Sequence, residues 1–147
     1  MMKKRRMVKV YRFIAIKHFY NLAGYLLPIL AVFVLILGTY GSIGGLYLAP
    51  ADYQQGDAFR IIYVHVPSAF LSLFIYLVMA MAAVIGLIFR IKLADLIVSG
   101  SVFLGSWFTF LALLTGSVWA KRMWGAWWVW DARLRSELIL LFLYLGV

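Results

Sequence analysis

Three long apolar runs decide what this 147-residue chain can fold into. About Tyr25 to Leu48, Ser68 to Phe89 and Leu93 to Val118 contain one ionisable acid between them, Asp95. Each run exceeds the ~20 residues that a helix needs to cross the hydrocarbon core. Lipid offers the backbone no hydrogen-bond partner, so such segments must satisfy their own N–H and C=O groups as helices. The composition agrees: 66% of residues are hydrophobic and 13% charged, and the mean hydropathy is +0.98. Soluble domains are about half apolar and a quarter charged. The expected fold class is all-α, a polytopic integral membrane helical bundle. A fourth apolar run opens near Glu137 and reaches Val147. Its eleven residues rise roughly 16 Å, about half the hydrocarbon core. About three and a half spans are therefore visible, and the chain reads as the N-terminal part of a longer protein or a truncated gene product.

Two regions follow from charge. Residues 1–20 form a basic segment ahead of a transmembrane domain over 21–147. Half of the 14 Lys and Arg fall in the first seventeen residues. Phe13, Ile16, Phe19 and Tyr20 recur at helical spacing, which predicts a short helix lying on the cytoplasmic leaflet. The apolar run beyond it is longer than a signal-peptide core, and no small-residue cleavage site follows closely. A net charge of +9 and pI near 10.0 could point to nucleic acid. A basic leader before a span is instead an orientation signal that keeps the N-terminus in the cytoplasm. Loops 49–66 and 117–136 then face outward, and the turn at Arg90 and Lys92 faces inward. Pro28 is expected in the first turn of span one. Gly38, Gly41 and Gly45 either allow close approach of a neighbouring helix or only loosen the end of that span.

The second outer loop holds the densest chemistry. Trp124, Trp127, Trp128, Trp130 and Asp131 fall within eight residues, flanked by Lys121, Arg122, Arg133 and Arg135. Cations on the outward side oppose the charge rule, and an anionic ligand would account for them. Were the loop helical, Trp124, Trp127, Trp128 and Asp131 would share one face. Indole rings at the water boundary form either an interfacial belt or a platform for a flat amphiphile. Haem fits the second reading: aromatic faces for the macrocycle, cations for the propionates and an imidazole for the iron. His65, just before the second span in a Tyr63–Pro67 turn, lies at a similar membrane depth. It is either an ordinary loop histidine or an axial ligand. Asp131 is a candidate N-cap, a functional group, or both, and a candidate to hold a flanking arginine. Glu137 is expected in a first helical turn, where an acid favours the dipole. His18 belongs to the basic surface.

Cysteine is absent from the chain, which excludes disulfides, thiolate metal sites and covalent thioether links to haem. No zinc spacing, phosphate loop, Walker motif or nucleophile triad occurs in the sequence, so the expected class is a handling protein and not an enzyme.

The string Trp124-Gly125-x-Trp127-Trp128-x-Trp130-Asp131-x-Arg133-Leu134-x-Ser136-Glu137-Leu138 resembles the tryptophan-rich WWD signature of the haem-handling family of cytochrome c maturation. Ala49–Asp57, Tyr63–Pro67 and Thr115-Gly116-Ser117 match the haem exporter C branch of that family, in order. Arg135 and Ala126 depart from the pattern, which more often has small polar residues there. The resemblance implies a six-span inner-membrane protein holding non-covalent haem b at its outer face. It implies delivery to a periplasmic haem chaperone (CcmE), beside a small membrane partner (CcmD) and an ABC-type complex (CcmA, CcmB). It maps His65 onto the first axial ligand of the haem iron, with the second histidine beyond Val147. The expected haem site is His65, Trp124, Trp127, Trp128, Trp130, Asp131, Arg122 and Arg133. The rivals are a haem lyase subunit with the same signature, and a structural or transporter subunit whose tryptophans only anchor it.

Overall fold

The structure is a computed structural model and describes residues 16–147. Among these residues every regular element is a helix. Helix α1 (Ile16–Ile43) continues into a π-helical turn at Gly44–Leu48. A short 3₁₀ segment, Asp57–Ile61, leads directly into α2 (Ile62–Phe89). Helix α3 covers Lys92–Trp124 and α4 covers Ala132–Leu145. The segments Ile16–Leu48, Asp57–Phe89 and Lys92–Trp124 are each long and apolar enough to cross a membrane. The fold class is thus an all-α membrane bundle.

Three local expectations are corrected. Ile16, Phe19 and Tyr20 belong to the same uninterrupted helix as the first span, not to a separate surface helix; Phe13 lies outside the described residues. Because α1 starts so early, Pro28 is interior to it and removes the helix bond that the Gly24 carbonyl would otherwise receive. Residues Tyr63–Pro67 are helical, not a turn, so His65 is carried on the first turn of α2.

Helices α2 and α3 form an antiparallel pair. Their connection is tight because Arg90 adopts a left-handed backbone, φ 52°, and its N–H reaches the Gly86 carbonyl at 2.8 Å. Gly86 lies close to Ala94 across this turn, so small residues let the helix ends meet. Helix α4 packs against α3, and its Tyr144 is fully buried. The core contains Met79, Leu140 and Tyr144, flanked by Ile75, Tyr76, Val98 and Val102. Tyr144 meets Tyr76 edge to face at 5.5 Å and donates its hydroxyl to the Ser72 carbonyl at 2.6 Å. Glu137 is the sixth residue of α4, beyond the first turn where it was expected, and its Oε1 accepts from Ser72 Oγ at 2.7 Å. In an apolar interior such polar groups need partners, and this pair ties α4 to α2. Apolar side chains such as Leu35, Leu87 and Phe103 remain open on the outside, which is the surface lipid solvates.

The end of the bundle opposite the Arg90 turn is held by polar clamps. The Arg60 guanidinium donates to the Leu46 and Ala49 carbonyls at 3.1 and 3.0 Å, and pairs with Asp57 at 3.3 Å. These are the carbonyls that a helix end leaves without partners. Asp52 Oδ1 accepts from the N–H groups of Gln54 and Gln55, turning the chain back before Gly56 at φ 58°. The loop between α1 and α2 is thereby folded against the start of α2.

Candidate ligand-binding cleft

A cleft of about 520 Å³ opens at this end, between the start of α2, the end of α3 and the start of α4. That volume is within the ~300–1,000 Å³ typical of small-molecule sites. His65, Trp124, Asp131 and Arg133 all line it. They are joined by Gln55 from the first loop, Trp119 from α3 and Glu137 from α4. The remaining wall is mostly apolar, including Leu73, Leu113, Met123 and Leu134.

Helix α3 supplies the longest wall because it continues to Trp124. Ala112, Gly116, Trp119, Ala120, Met123 and Trp124 repeat at helical intervals along one side. His65 is set against this wall. Its Nδ1 lies 3.1 Å from the Ala112 carbonyl and 3.1 Å from Thr115 Oγ1. The Trp119 ring meets the imidazole edge to face, with centroids 5.7 Å apart. Trp119 is itself held by donation from Nε1 to Gln55 Oε1 at 3.0 Å. Gly116 leaves the space that the ring needs: a β-carbon there would lie 3.1 Å from His65 Cε1.

Beyond Trp124 the tryptophan segment is not helical. Gly125 ends α3 in a left-handed conformation, φ 75°, and returns its N–H to Lys121 O at 3.2 Å. Lys121 Nζ also donates to Gly125 O at 2.8 Å. The face that helical spacing would give Trp124, Trp127, Trp128 and Asp131 therefore does not form. Trp124 lines the cleft, with the Arg133 guanidinium 5.8 Å from its ring centroid. Trp127 lies outside the cleft lining, with Lys121 Nζ 5.9 Å from its ring. Trp128 and Trp130 pack on each other edge to face at 5.5 Å, also outside that lining. Arg122 is exposed and does not line the cleft.

Asp131 caps α4. Its Oδ1 accepts from Leu134 N–H at 2.8 Å, while Oδ2 pairs with Arg133 Nε at 3.2 Å. The Leu134 hydrogen bond, with help from Arg133, holds the carboxyl below the usual carboxylate range. The same residue thus starts α4 and fixes the cation at the cleft. Sequence reasoning missed Trp119, Thr115 and Gln55 as neighbours of His65. The recoverable signal was the helical period running back from Trp124 through Ala120 to Gly116.

These features define a class: a helical membrane protein with an aromatic, cation-bearing cleft where two spans meet the loop before the first and the loop after the second. The family profile described as Heme exporter protein C matches residues 9–147. The chain is 56% identical to the Heme exporter protein C of Escherichia coli strain K12 over 128 residues, covering 87% of this chain and 52% of that protein. It is 53% identical to the Haemophilus influenzae protein of the same name, with the same coverage. The Bradyrhizobium diazoefficiens protein of that name is 48% identical over 132 residues, 88% of this chain and 49% of its own length. The chain belongs to the Heme exporter protein C family and spans about half the length of these relatives.

Proposed function

We propose that this chain carries the first half of a haem-handling site at the outer face of the bacterial inner membrane, its N-terminus cytoplasmic and its tryptophan loop periplasmic. The protein presents haem b, bound without covalent links, for c-type cytochrome biogenesis and makes no bonds of its own. The carrying observation is that His65, Trp124 and Arg133, from two sequence regions about 60–70 residues apart, line one cleft. Membership of the Heme exporter protein C family supports haem as the cargo.

The residues suit that cargo. His65 would hold the iron through an imidazole nitrogen. Trp119 and Trp124 offer aromatic surface to the macrocycle, and Arg133 offers a guanidinium to a propionate. Asp131 keeps Arg133 beside the cleft. Haem when bound supplies the iron centre that cytochrome c maturation attaches; the chain's residues only hold and orient it. Trp127, Trp128, Trp130, Lys121 and Arg122 form the outer aromatic and cationic rim, suited to the exposed haem edge and to the periplasmic haem chaperone (CcmE) that receives it. The small membrane partner (CcmD) and the ABC-type complex (CcmA, CcmB) complete the assembly. The family resemblance puts a second haem-ligating histidine in the part of the relatives' length that this chain does not cover.

Transfer from the haem-loaded full-length protein to the purified chaperone tests this reading. Replacing Trp127 and Trp128 together by alanine is expected to abolish handover. Normal transfer in that variant would remove the rim from the mechanism.

A further inference from the structure

We propose that α3 selects the tautomer of His65: Thr115 and the Ala112 carbonyl hold the proton on Nδ1, and Trp119 fixes the ring, so that Nε2 is the metal-binding atom. The tautomer follows from the hydrogen bonds alone; its use in binding rests on the haem reading above.

Both groups beside Nδ1 are acceptors. A backbone carbonyl can only accept. Thr115 Oγ1 donates its one proton within α3, to Leu111 O at 2.7 Å, with Ala112 O a longer alternative at 3.3 Å. The oxygen it turns to His65 is therefore a lone pair. An unprotonated Nδ1 would face two oxygen lone pairs at 3.1 Å, each repelling it. A protonated Nδ1 instead makes a three-centre hydrogen bond to both. The neutral imidazole has one N–H, so Nε2 carries the lone pair that a metal needs.

The ring plane is fixed by the same helix. Gly116 admits the Cε1 edge where a larger residue would crowd it. Trp119 stands at 75° to the imidazole and is anchored through Gln55 to the first outer loop. Acceptors on the non-ligating nitrogen orient metal-binding histidines generally, and their loss costs about 10–100-fold in affinity. Thr115 and Trp119 are in this sense positioning residues, acting through His65.

Nitrogen NMR of ¹⁵N-histidine-labelled full-length protein without haem tests the tautomer directly. His18→Ala, with any histidines beyond Val147 also replaced, leaves His65 as the only signal. The expected spectrum is that of an Nδ1–H imidazole. Thr115→Val removes one acceptor and is expected to raise the Nε2–H population, with Thr115→Ser restoring the original spectrum. An Nε2–H signal in the parent protein, or a Thr115→Val variant with an unchanged tautomer ratio, would overturn the proposal. In the second arm, haem affinity of the otherwise wild-type protein should fall about tenfold on Thr115→Val and recover with Thr115→Ser. An unchanged affinity would overturn the positioning role. A protein with the expected tautomer behaviour that binds no haem contradicts the proposed function and leaves the tautomer assignment standing.

Discussion

Tyr144 occupies the space that any side chain at Gly105 would need, so α4 docks on α3 through the absence of a β-carbon. The tyrosine hydroxyl then reaches past α3 to the Ser72 carbonyl of α2. One residue thereby binds three helices, and its helix begins at the Asp131 cap. The cleft's Arg133 wall is only as fixed as this joint.

Enlarging Gly105 should therefore unseat α4. Gly105→Leu is expected to destabilise the bundle by about 1–3 kcal/mol through overpacking. Tyr144→Phe keeps the ring and loses only the hydrogen bond, at about 1 kcal/mol. Unfolding in mixed micelles of increasing SDS fraction measures both. A Gly105→Leu protein as stable as the parent would show that α4 does not seat there.

Acidification should weaken the start of α4. The Leu134 N–H bond lowers the Asp131 carboxyl in the folded protein, so folding favours the ionised form. The cap's full contribution is present above the unfolded carboxylate pKa of about 4. It is lost as pH falls through the lower folded value. Asp131→Asn keeps a capping oxygen without the charge, and should flatten this part of the Tm-against-pH profile. An equal acid slope in both proteins would assign the effect to other carboxyls.

Gln55 and Trp119 should be energetically coupled although 64 residues separate them. In a double-mutant cycle, Gln55→Ala and Trp119→Phe are expected to be non-additive by about 0.5–1 kcal/mol. Additive effects would mean that the loop between α1 and α2 does not brace the His65 wall.

The tryptophans should divide by position. Trp124 lines the cleft and Trp130 does not. Trp124→Ala is expected to weaken haem binding about tenfold, near 1.4 kcal/mol, and Trp130→Ala severalfold less. Fluorescence quenching by haem in nanodiscs measures both affinities. The reverse order would move the macrocycle from the cleft to the rim.

The sequence made the spans legible because uncharged runs longer than the bilayer leave the backbone no alternative to helix. Asp131 as a cap was legible too, since it precedes an amphipathic start and its side chain reaches only three residues. The helical face of Trp124, Trp127 and Trp128 was not realised because Gly125 adopts a positive φ and breaks the register immediately after Trp124. Trp119 escaped notice because its significance depends on Gln55 and His65, which only the antiparallel pairing of α2 and α3 brings near. Glu137 looked like a dipole partner from its acidic character near a helix start; its bond to Ser72 is a tertiary fact.

The most direct test of the account is haem titration of the full-length protein against its His65→Ala variant, followed by the Soret band. Loss of an axial imidazole should shift the band and weaken binding by tenfold or more, with exogenous imidazole restoring the spectrum. An identical band and affinity in the two proteins would contradict the claim that His65 and the tryptophan loop share one haem cleft.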